Sequence, residues 1–385
     1  MKTEVQPLIP ALRFPKFEGE WVLKKLEDVC VMKAGKFISA AEIEDEFKDG
    51  LNPCYGGNGL RGYVHSYTNS GRFSLIGRQG AYCGNITLSD GIFHATEHAV
   101  VVTPEKNIVT DWLYFALVLL RLNQYSTGQA QPGLSVSTIK KVKLHYPPSL
   151  PEQQKIASFL TTIDNRIQAL EKKKNSLEQY KKGVMQKIFT QEIRFKDEDG
   201  KDFPEWEEKK LGEVCKFFSG GTPKSTNKRF YSGDIPFIGS GNISDSMVNS
   251  FITNEALNNS SAKLIECGDL LYALYGATSG EVAISKLTGA INQAVLCIRT
   301  KENKNYLFQL LKFNQEKIVK TFIQGGQGNL SAKIIKELKF SLPSIPEQTH
   351  IANFLTALDK KIALVNEQIE KTKAYKKGLL QKMFV

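Results

Sequence analysis

Pro151-Glu152-Gln153-Gln154-Lys155-Ile156-Ala157 opens a stretch of sequence that the chain carries twice. It returns 195 positions later as Pro346-Glu347-Gln348-Thr349-His350-Ile351-Ala352, and no insertion interrupts the match up to residue 385. Further along, Tyr180-Lys181-Lys182-Gly183 returns as Tyr375-Lys376-Lys377-Gly378. Self-similarity at one fixed offset is the signature of a duplicated structural unit. We therefore expect the chain to consist of two related halves.

Each copy of this stretch predicts one long helix. Proline suits the first turn of a helix, the glutamate beside it complements the positive end of the helix dipole, and no proline follows within either copy. Apolar residues recur at alternating intervals of four and three, as in the seam of a coiled coil. The seam positions are Ile156, Leu160, Ile163, Ile167 and Leu170 in the first copy, and Ile351, Leu355, Leu358, Ile362 and Val365 in the second.

Two helices of this kind can bury their seams against each other. About 36 residues give each a length of about 54 Å, and a twofold relation between the halves would make the helices antiparallel. The alternative is that each helix packs on its own globular half. Lys174 and Lys181 occupy seam positions in the first copy, so we expect the packing there to be loose or opened for a partner.

The segments upstream of the two copies have diverged but remain related. Matching anchors are Trp21 with Trp206, Leu26 with Leu211, Gly80 with Gly276, and Gly84 with Gly280. Short β-prone runs between Gly, Asn and Ser turns predict strands at 73–76, 99–103, 269–274 and 294–299. Helical patterns cover 112–122 and 306–322.

The predicted fold is therefore α+β. Two pseudo-symmetric, mixed and strand-rich domains are joined by two long helices that pack as an antiparallel coiled coil. The predicted boundaries are 1–150 for the first domain, 151–190 for the first helix, 191–345 for a linker and the second domain, and 346–385 for the second helix. Residues 191–204, which are rich in Asp, Glu, Lys and Gly, are expected to form an exposed linker.

Composition excludes several classes of protein. A chain of 385 residues with 41% hydrophobic and 24% charged residues has the composition of a folded, water-soluble protein. The longest apolar run, 112–120, is half of what a membrane span needs, and residues 1–10 lack the apolar core of a secretion signal. We expect a cytoplasmic protein without a membrane contact. Neither the six cysteines nor the five histidines show metal-ligand spacing, so no metal site is predicted.

The excess of positive charge is concentrated in the duplicated stretches. The net charge is +11, yet residues 1–150 carry 16 basic and 14 acidic residues, and residues 191–345 carry 20 and 18. Residues 151–190 carry 8 and 4, and residues 346–385 carry 7 and 4. A basic protein of this kind suits a polyanionic partner, although several unrelated classes of protein share the property.

Three short motifs resemble catalytic sequences but lack the residues that would complete them. Asn52-Pro53-Cys54-Tyr55 is similar to the Asn-Pro-Pro-Tyr signature of amino methyltransferases, without a glycine-rich loop to seat S-adenosylmethionine. In 220–225, Pro223 stands where a phosphate loop needs glycine. Glu207 and Lys209 have nuclease spacing but no partner Asp in a strand. We therefore predict no catalytic residue and no cofactor in this chain.

The diverged segments do carry groups suited to contacting DNA. Arg, Gln and Asn make bidentate hydrogen bonds to base edges, and Tyr stacks on bases or binds phosphate. The candidates in the first domain are Arg61, Arg72, Arg78, Gln79, Tyr82, Gln129 and Gln131. Those in the second domain are Lys224, Arg229, Tyr231, Asn242, Tyr275, Asn292, Gln293 and Gln327. Their repetition around matching glycines distinguishes them from ordinary turn residues.

Taken together, these features resemble the specificity subunit of Type I restriction-modification enzymes over essentially the whole chain. The resemblance rests on the twice-present Pro-Glu-Gln helix start, on 55–63 in the first domain, and on 271–280 with 291–294 in the second. It implies that two target-recognition domains each bind one half of a split site in double-stranded DNA, and that the helices set the gap between the half-sites.

The resemblance also implies partners. Two modification subunits would dock on the helices and methylate adenine N6 with S-adenosylmethionine, and restriction subunits would add translocation and cleavage driven by ATP with Mg²⁺. Two alternatives stay open. The chain could be a self-contained methyltransferase or nuclease that uses Asn52 or Glu207, or a coiled-coil scaffold whose globular halves bind protein.

Overall fold

A computed structural model describes residues 9–128, 132–322 and 329–385. The chain divides into two compact units, one formed by Met1–Lys172 with Asn366–Val385 and the other by Lys173–Val365. Each unit contains one strand-rich domain and a segment of each long helix. Among the helices of the described residues, none combines the length and the apolar content that a membrane crossing requires.

The first unit holds short strands and three short helices ahead of a long one. Its strands are β1 (Val22–Lys25), β2 (Cys30–Ala34), β3 (Asn52–Gly56), β4 (Gly59–Val64), β5 (Asn69–Ser70), β6 (Phe73–Gly77), β7 (Ile86–Ser89), β8 (Ile92–Ala95), β9 (Ala99–Pro104) and β10 (Lys143–Tyr146). Its helices are α1 (Leu26–Val29), α2 (Thr110–Leu119), α3 (Val136–Lys140) and the beginning of α4 (Leu150–Phe189). Short 3-10 helices cover Ala40–Glu42 and Leu122–Tyr125.

Two four-stranded sheets, ordered β2-β9-β6-β7 and β4-β3-β8-β5, form the first domain, and β1 pairs with β10. The central strand β9 separates two cores because successive side chains of a strand alternate between its faces. Val100 and Val102 pack with Trp112 of α2, whereas Ala99 and Val101 pack with Phe93 of the other sheet. Both faces of β9 are therefore covered, which explains its unbroken apolar run.

The second unit repeats this plan. Its strands are β11 (Glu207–Lys210), β12 (Cys215–Ser219), β13 (Ile235–Ile238), β14 (Phe251–Ile252), β15 (Lys263–Ile265), β16 (Leu270–Ala273), β17 (Val282–Ile284), β18 (Gly289–Ile291), β19 (Val295–Thr300) and β20 (Lys339–Leu342). Its helices are the end of α4, α5 (Leu211–Val214), α6 (Asn254–Asn258), α7 (Lys304–Phe313), α8 (Gln315–Phe322), α9 (Ala332–Glu337) and the beginning of α10 (Ile345–Met383). The 3-10 helices Lys228–Tyr231 and Ser240–Asn242 belong to this unit.

The sheet orders of the second domain match those of the first. They are β12-β19-β16-β17 and β14-β13-β18-β15, with β11 paired to β20. In each domain one strand pair is parallel, β3 with β8 and β13 with β18. The predicted duplication and the α+β fold class are confirmed.

The predicted strands and helices are present, with shifted ends and one break. The four predicted runs form β6, β9, β16 and β19, and 112–122 forms α2. The region 306–322 is helical as predicted, and the structure divides it into the two helices α7 and α8. The first ends at Asn314, whose side-chain amide donates a hydrogen bond to the Leu310 carbonyl (2.9 Å). Such a local bond competes with the continuing helix.

The glycines matched by sequence share one backbone conformation. Gly80 and Gly84 have φ of 86° and 88°, and Gly276 and Gly280 have φ of 98° and 86°. Residues with a Cβ rarely adopt this left-handed conformation. The pairing of these four glycines across the two domains is therefore confirmed.

Helices α4 and α10 pack together and run antiparallel within each unit. In the first unit Asp164 and Glu171 of α4 pair with Lys376 and Lys373 of α10, so one residue number rises as the other falls. The seam residues Ile156, Leu160, Ile163 and Ile167 are at most 8% exposed, and so are Ile351, Leu355, Leu358 and Val365. Leu170 and Ile362 are half-buried.

The seam also contacts the globular domain of its own unit. Ile156 and Leu160 share a core with Trp21, Trp112 and Leu379, and Ile351 and Leu355 share one with Tyr306 and Met185. Helix-to-helix packing and packing on the domain, which were alternatives in the sequence, thus occur together.

The side chain of Lys181 is closely held and not loosely packed, but it also lines a cleft of about 1190 Å³, so the expected opening for a partner stays a prediction. The Lys181 side chain is buried, and its ammonium donates to Asp359 Oδ1 (2.6 Å) of α10 and to Gln309 Oε1 (3.0 Å) of α7. Burial lowers the pKa of Lys181 although the hydrogen bond to Asp359 opposes the shift. Buried charges are tolerated where they are paired and hydrogen-bonded in this way. Lys174 lies 4.0 Å from Glu178 on its own helix.

The first unit contains the equivalent ion pair. Lys376 pairs with Asp164, and its ammonium lies 5.2 Å from the centre of the Phe115 ring. Phe115 occupies in α2 the position that Gln309 occupies in α7. A cation is attracted both by an amide oxygen and by the face of an aromatic ring. The same Lys–Asp pair is therefore completed by a different third group in each unit.

The glutamate of the Pro-Glu-Gln motif anchors the chain that precedes the domain. Glu152 is 1% exposed and accepts hydrogen bonds from Arg13 (Nε, 2.8 Å, and Nη2, 2.9 Å) and from the Trp21 indole (3.3 Å). The hydrogen bond to Glu152 raises the pKa of Arg13. A bidentate pair of this type is stronger and more directional than a single ion contact.

Glu347 repeats the arrangement in the second unit. It is fully buried and accepts from Arg194 (3.1 and 2.9 Å) and from the Trp206 indole (3.1 Å). Arg194 belongs to the segment 191–204, which we expected to be an exposed linker. That expectation is wrong for its first part, because Arg194 is held by Glu347 and Phe195 packs edge-on against Phe354 (5.8 Å).

The glutamine of the motif anchors the loop before the domain's own helix. Gln153 accepts from the Val109 amide (2.8 Å) and donates to the Asn107 and Pro147 carbonyls (3.1 and 2.9 Å). Gln348 accepts from the Asn303 amide (3.0 Å) and donates to the Pro343 carbonyl (2.9 Å). Val109 and Asn303 are the N-cap residues of α2 and α7. The three-residue motif thus joins the long helix to two separate parts of each domain.

Removing the buried carboxylate should destabilise the fold strongly. We expect Glu152→Gln, and likewise Glu347→Gln, to lower the free energy of unfolding by about 3 kcal/mol, because the buried ion pair is broken and the half-buried guanidinium loses its counter-charge. Glu178→Gln on α4, where the side chain is 49% exposed, is the matched control and should change it by less than about 0.5 kcal/mol. Urea denaturation of the purified chain measures all three, and equal midpoints would contradict the anchoring role.

Candidate nucleic-acid interface

In the first unit, three turns from neighbouring strands surround a cleft of about 430 Å³. The turn between β3 and β4, with the adjoining strand ends, contributes residues 56–61. The loop after β6 contributes Gln79 and Gly80, and the turn between β8 and β9 contributes His98. The parallel pairing of β3 with β8 places the ends of both strands at one edge of the sheet. The cleft therefore lies where loops can vary without disturbing the core.

Glycine allows these turns to approach each other closely. A Cβ added at Gly77 would overlap the Gly57 carbonyl oxygen, and one added at Gly57 would lie 2.8 Å from the Gln79 carbonyl oxygen. The Arg78 amide donates to the His98 carbonyl (3.0 Å), and the Leu134 amide donates to the Arg78 carbonyl (2.8 Å). These bonds fix the backbone of the cleft while leaving side chains free to contact a ligand.

The structure brings four of the predicted first-domain residues to this edge. Arg61 and Gln79 line the cleft, and both are exposed. Arg78 is half-buried beside Gln79, and Tyr82, in the same loop, is 62% exposed. Their side chains remain predicted contacts with DNA.

Arg72 lies elsewhere. It precedes β6 at the end opposite to the cleft and pairs with Asp111 (2.6 Å) and Asp90 (2.8 Å). Burial opposes its charge, but the bonds to these two carboxylates raise the pKa of Arg72. In this structure it ties the strand β6 to the first turn of α2. Gln129, Gln131 and Gln327 lie outside the described residues.

The second unit forms a comparable edge from equivalent turns. Thr278 Oγ1 donates to the Ser240 carbonyl (2.9 Å), which ties the loop after β16 to the loop after β13. Asn292 Oδ1 accepts from the Ala294 amide (2.9 Å) and shapes the turn between β18 and β19. The predicted residues Asn242, Tyr275, Asn292 and Gln293 all belong to these turns.

A fourth segment joins this edge. The Thr222 hydroxyl donates to Gln293 Oε1 (2.6 Å), and the Tyr231 hydroxyl donates to the Pro223 carbonyl (2.6 Å). The predicted residues Lys224 and Arg229 are exposed on the same segment, whereas Tyr231 is half-buried. These basic side chains suit contacts with phosphate, which positions a protein on a duplex.

Both edges use a glycine at the same point. A Cβ at Gly35 would overlap the Ala95 carbonyl oxygen at the end of β8, and one at Gly220 would overlap the Ile291 carbonyl oxygen at the end of β18. Glycine therefore permits the segment that follows β2 or β12 to pass close to the end of the parallel strand pair. The sequence comparison did not match these two glycines, because the residues around them differ.

The catalytic-like motifs occupy structural positions. The Asn52 amide donates to the His65 and Ser66 carbonyls (3.1 and 3.4 Å) within the sheet, and Cys54 is fully buried. Glu207 pairs with Lys209 (2.9 Å) on β11. Within the described residues, no group of three or more His, Cys, Asp or Glu side chains could hold a metal ion.

Three residues that line the cleft of the first unit were not predicted from the sequence. His98, Asn58 and Leu60 line the cleft, and Leu60 is 51% exposed. The cluster of glycines in 56–59 was the available signal, because such a density indicates close backbone approach.

Comparison with protein-family models gives one match, which occurs twice. The model described as the Type I restriction modification DNA specificity domain matches residues 18–179 and 204–374. Each match includes one strand-rich domain and most of the long helix that follows it.

Individual relatives agree with the family match. The chain is 42% identical over 169 residues to the Type I restriction enzyme EcoprrI specificity subunit of Escherichia coli, which covers 43% of this chain and 42% of that protein. It is 28% identical over 393 residues to the MjaVIII specificity subunit of Methanocaldococcus jannaschii, covering 91% of each chain.

Solved structures show the same fold. The Type-I restriction-modification system S subunit from M. genitalium superimposes with a TM-score of 0.71 at 18% identity, over 98% of this chain and 99% of that one. A chain from a study of complex assembly and conformational transition of the type I R-M system superimposes with a TM-score of 0.57 at 16% identity, over 96% and 97%.

The close approach of β6 to the glycine turn is testable. We expect Gly77→Ala to lower the free energy of unfolding by about 2 kcal/mol, because the new methyl group forces the Gly57 turn away. Gly241→Ala is the control, since no heavy atom lies within 4 Å of an added Cβ there, and it should be neutral within about 0.5 kcal/mol. Thermal unfolding distinguishes the two, and a neutral Gly77→Ala would show that the turn is not closely packed.

Proposed function

The chain belongs to the Type I restriction modification DNA specificity family, and we propose that it binds a split DNA target, one half-site per domain, within a complex that methylates adenine N6. The observation that carries this proposal is that both domains have the same sheets and helix anchors, which we call the frame. Each frame carries a group of turns at the end of its parallel strand pair. The two frames share sheet order, helix anchors and glycine positions, whereas the exposed side chains at the two edges differ.

Different side chains on the same frame suit two different half-sites. The first edge offers Arg61, Gln79 and Tyr82, and the second offers Lys224, Arg229 and Asn242. Tyr275 is half-buried against the core of its unit. Guanidinium and amide groups discriminate bases in the major groove, and lysine binds phosphate. The described residues form one such edge in each domain, which supports the proposal of a bipartite target.

We assign no catalytic step to this chain. The side chains of the catalytic-like motifs are bonded within the fold, as the Asn52 amide and the Glu207 carboxylate illustrate. Methyl transfer would be performed by modification subunits with S-adenosylmethionine, and translocation and cleavage by restriction subunits with ATP and Mg²⁺. This chain would position the target base, which the methyltransferase extracts from the duplex.

The long helices are the proposed docking surface for two modification subunits. Tyr180 and Tyr375 hold equivalent positions and are 54% and 58% exposed. Three residues further on, Gly183 and Gly378 lie on the same helix face, and no atom from elsewhere lies within 4 Å of an added Cβ. Glycine weakens a helix, and no contact within the described residues requires it at either position. Close approach of a partner's backbone to the helix would explain a glycine at each position. Because the same surface occurs on both helices, it suggests two copies of one partner.

The decisive experiment is methylome sequencing of a host that carries this chain and its modification partner. We expect methylated adenines in one bipartite sequence, and footprinting of the purified complex should protect two half-sites with a gap between them. A contiguous footprint would contradict the model of one half-site per domain. Methyl transfer by this chain alone, lost in Asn52→Ala, would instead establish the self-contained enzyme.

Substitution of the helix glycines tests the docking surface. We expect Gly183→Ala and Gly378→Ala each to raise the free energy of unfolding of the isolated chain by about 0.5–1 kcal/mol. Each should also weaken assembly with the modification subunit about fivefold or more, because a methyl group then obstructs the contact.

Glu178→Ala is the control for assembly. It lies two residues from Tyr180 and therefore about 200° around the helix, so it should leave the affinity for the modification subunit unchanged. Titration of labelled modification subunit measures assembly. If the two glycine variants assemble as tightly as the unaltered chain, the docking surface lies elsewhere.

A further inference from the structure

A histidine and a glutamate form a pair at the wall of the first cleft. His98 lines the cleft, and its ring nitrogen Nε2 lies 3.1 Å from Glu97 Oε1. The other carboxylate oxygen, Glu97 Oε2, is buried and has no hydrogen-bond partner among the described residues. A buried polar atom without a partner costs free energy. The stability of the fold alone therefore does not favour a carboxylate at this position.

The backbone fixes the place from which the His98 ring extends. The Arg78 amide donates to the His98 carbonyl (3.0 Å), and the His98 amide donates to Thr96 Oγ1 (3.3 Å). A Cβ added at Gly57 would lie 3.7 Å from the His98 Cβ, which is ordinary contact distance. The imidazole is thus held against the glycine turn, and its side chain is still 40% exposed.

The second unit builds the same turn with different side chains. The Leu274 amide donates to the Ala294 carbonyl (2.8 Å), and the Ala294 amide donates to Asn292 Oδ1 (2.9 Å). These are the two bonds that His98 makes in the first unit. The corresponding residues are therefore Thr96 with Asn292, Glu97 with Gln293, and His98 with Ala294. Since alanine suffices in the second unit, the turn itself does not require a histidine.

The carboxylate determines what the ring offers to a ligand. An ionised Glu97 can only accept a hydrogen bond, so Nε2 of His98 is the donor between them. In the neutral imidazole the other nitrogen, Nδ1, then carries a lone pair and accepts. The matching donors in the major groove are the exocyclic amines, N6 of adenine and N4 of cytosine.

We propose that His98 accepts a hydrogen bond from one exocyclic amine in the half-site bound by the first domain, and that Glu97 positions the ring for it. The inference rests on the proposed function, since it needs DNA at this cleft. Arg61 and Gln79 line the same cleft, so the contact lies among groups already proposed to bind bases. The second domain has Ala294 in this place and lacks the contact, which makes the two half-sites different.

The first test measures DNA affinity of the chain assembled with its modification subunits, on a duplex with the sequence found by methylome sequencing. We expect His98→Ala to weaken binding about fivefold or more. Its thermal unfolding should match that of the unaltered chain, because the second unit carries alanine in the same turn.

His65→Ala is the matched control. His65 is an exposed histidine of the same domain, but it follows Val64, which pairs with Asn52 at the end of the hairpin opposite to the cleft. Its loss should leave the affinity unchanged.

The contacted base is found by removing one amine at a time from the first half-site, with purine in place of adenine and 2-pyrimidinone in place of cytosine. One such duplex should bind the unaltered chain about fivefold more weakly than its weakened base pairing explains, and should cost His98→Ala no more than the weakened pairing. The effect on base pairing is common to both proteins and cancels in the comparison.

Glu97 is tested as a positioning residue by two variants. Glu97→Gln retains an acceptor for Nε2–H and should bind within about twofold of the unaltered chain, whereas Glu97→Ala should bind about threefold more weakly. If the carboxylate only repelled phosphate, Glu97→Ala would bind more tightly, and the positioning role would be wrong.

Unchanged affinity of His98→Ala, or equal sensitivity of both proteins to every amine removal, would overturn the inference. A bipartite footprint of the unaltered complex would leave the proposed function standing in that case. Absence of the bipartite footprint would instead defeat the proposed function itself.

Discussion

The structure of each unit depends on one buried carboxylate at the start of a long helix. Glu152 and Glu347 lie in the first turn of α4 and α10. Each is paired with an arginine from the segment ahead of the domain and accepts a hydrogen bond from an indole at the matching position, Trp21 or Trp206. Because such a charge is buried only when fully paired, the helix, the domain and the preceding segment must adopt one mutual arrangement. The neighbouring glutamines extend the same constraint to the N-termini of α2 and α7.

The anchored part of each domain, which consists of the sheets and helices, is distinct from the turns that are proposed to contact DNA. The central strands β9 and β19 are covered on both faces, and their cores are closed by the helices. The turns at the ends of the parallel pairs β3–β8 and β13–β18 carry little of that packing. Side chains there can change without cost to the frame, which is the condition for two edges that bind different sequences.

The sequence predicted what repeats and what is periodic. The heptad seam, the strands β6, β9, β16 and β19 and the matching glycines all follow from local spacing. Arg61 and Gln79 were selected for their glycine-rich surroundings, which are local too, and the structure places both at the cleft. The partners of buried polar groups were not predictable, since Arg13 and Glu152 are 139 residues apart and Lys181 and Asp359 are 178 apart. Lys181 in a seam therefore suggested weak packing, when its ion pair in fact completes the interface. Arg72 shows the converse error, because a basic residue near a strand can equally well tie that strand to a helix.

The aromatic residue at the end of α10 has a consequence for the order of folding. Phe384 stacks on Trp112 and meets Trp21 edge-on, with ring centres 5.9 Å apart in both cases, and Leu379 and Met383 belong to the same core. The first unit thus cannot close its core until the ribosome has added more than 200 residues beyond Lys172. At about 5–20 residues per second this is a wait of about 10 to 40 s. The second unit, a continuous segment, needs the chain up to Val365, so neither unit can complete its core until synthesis has reached α10.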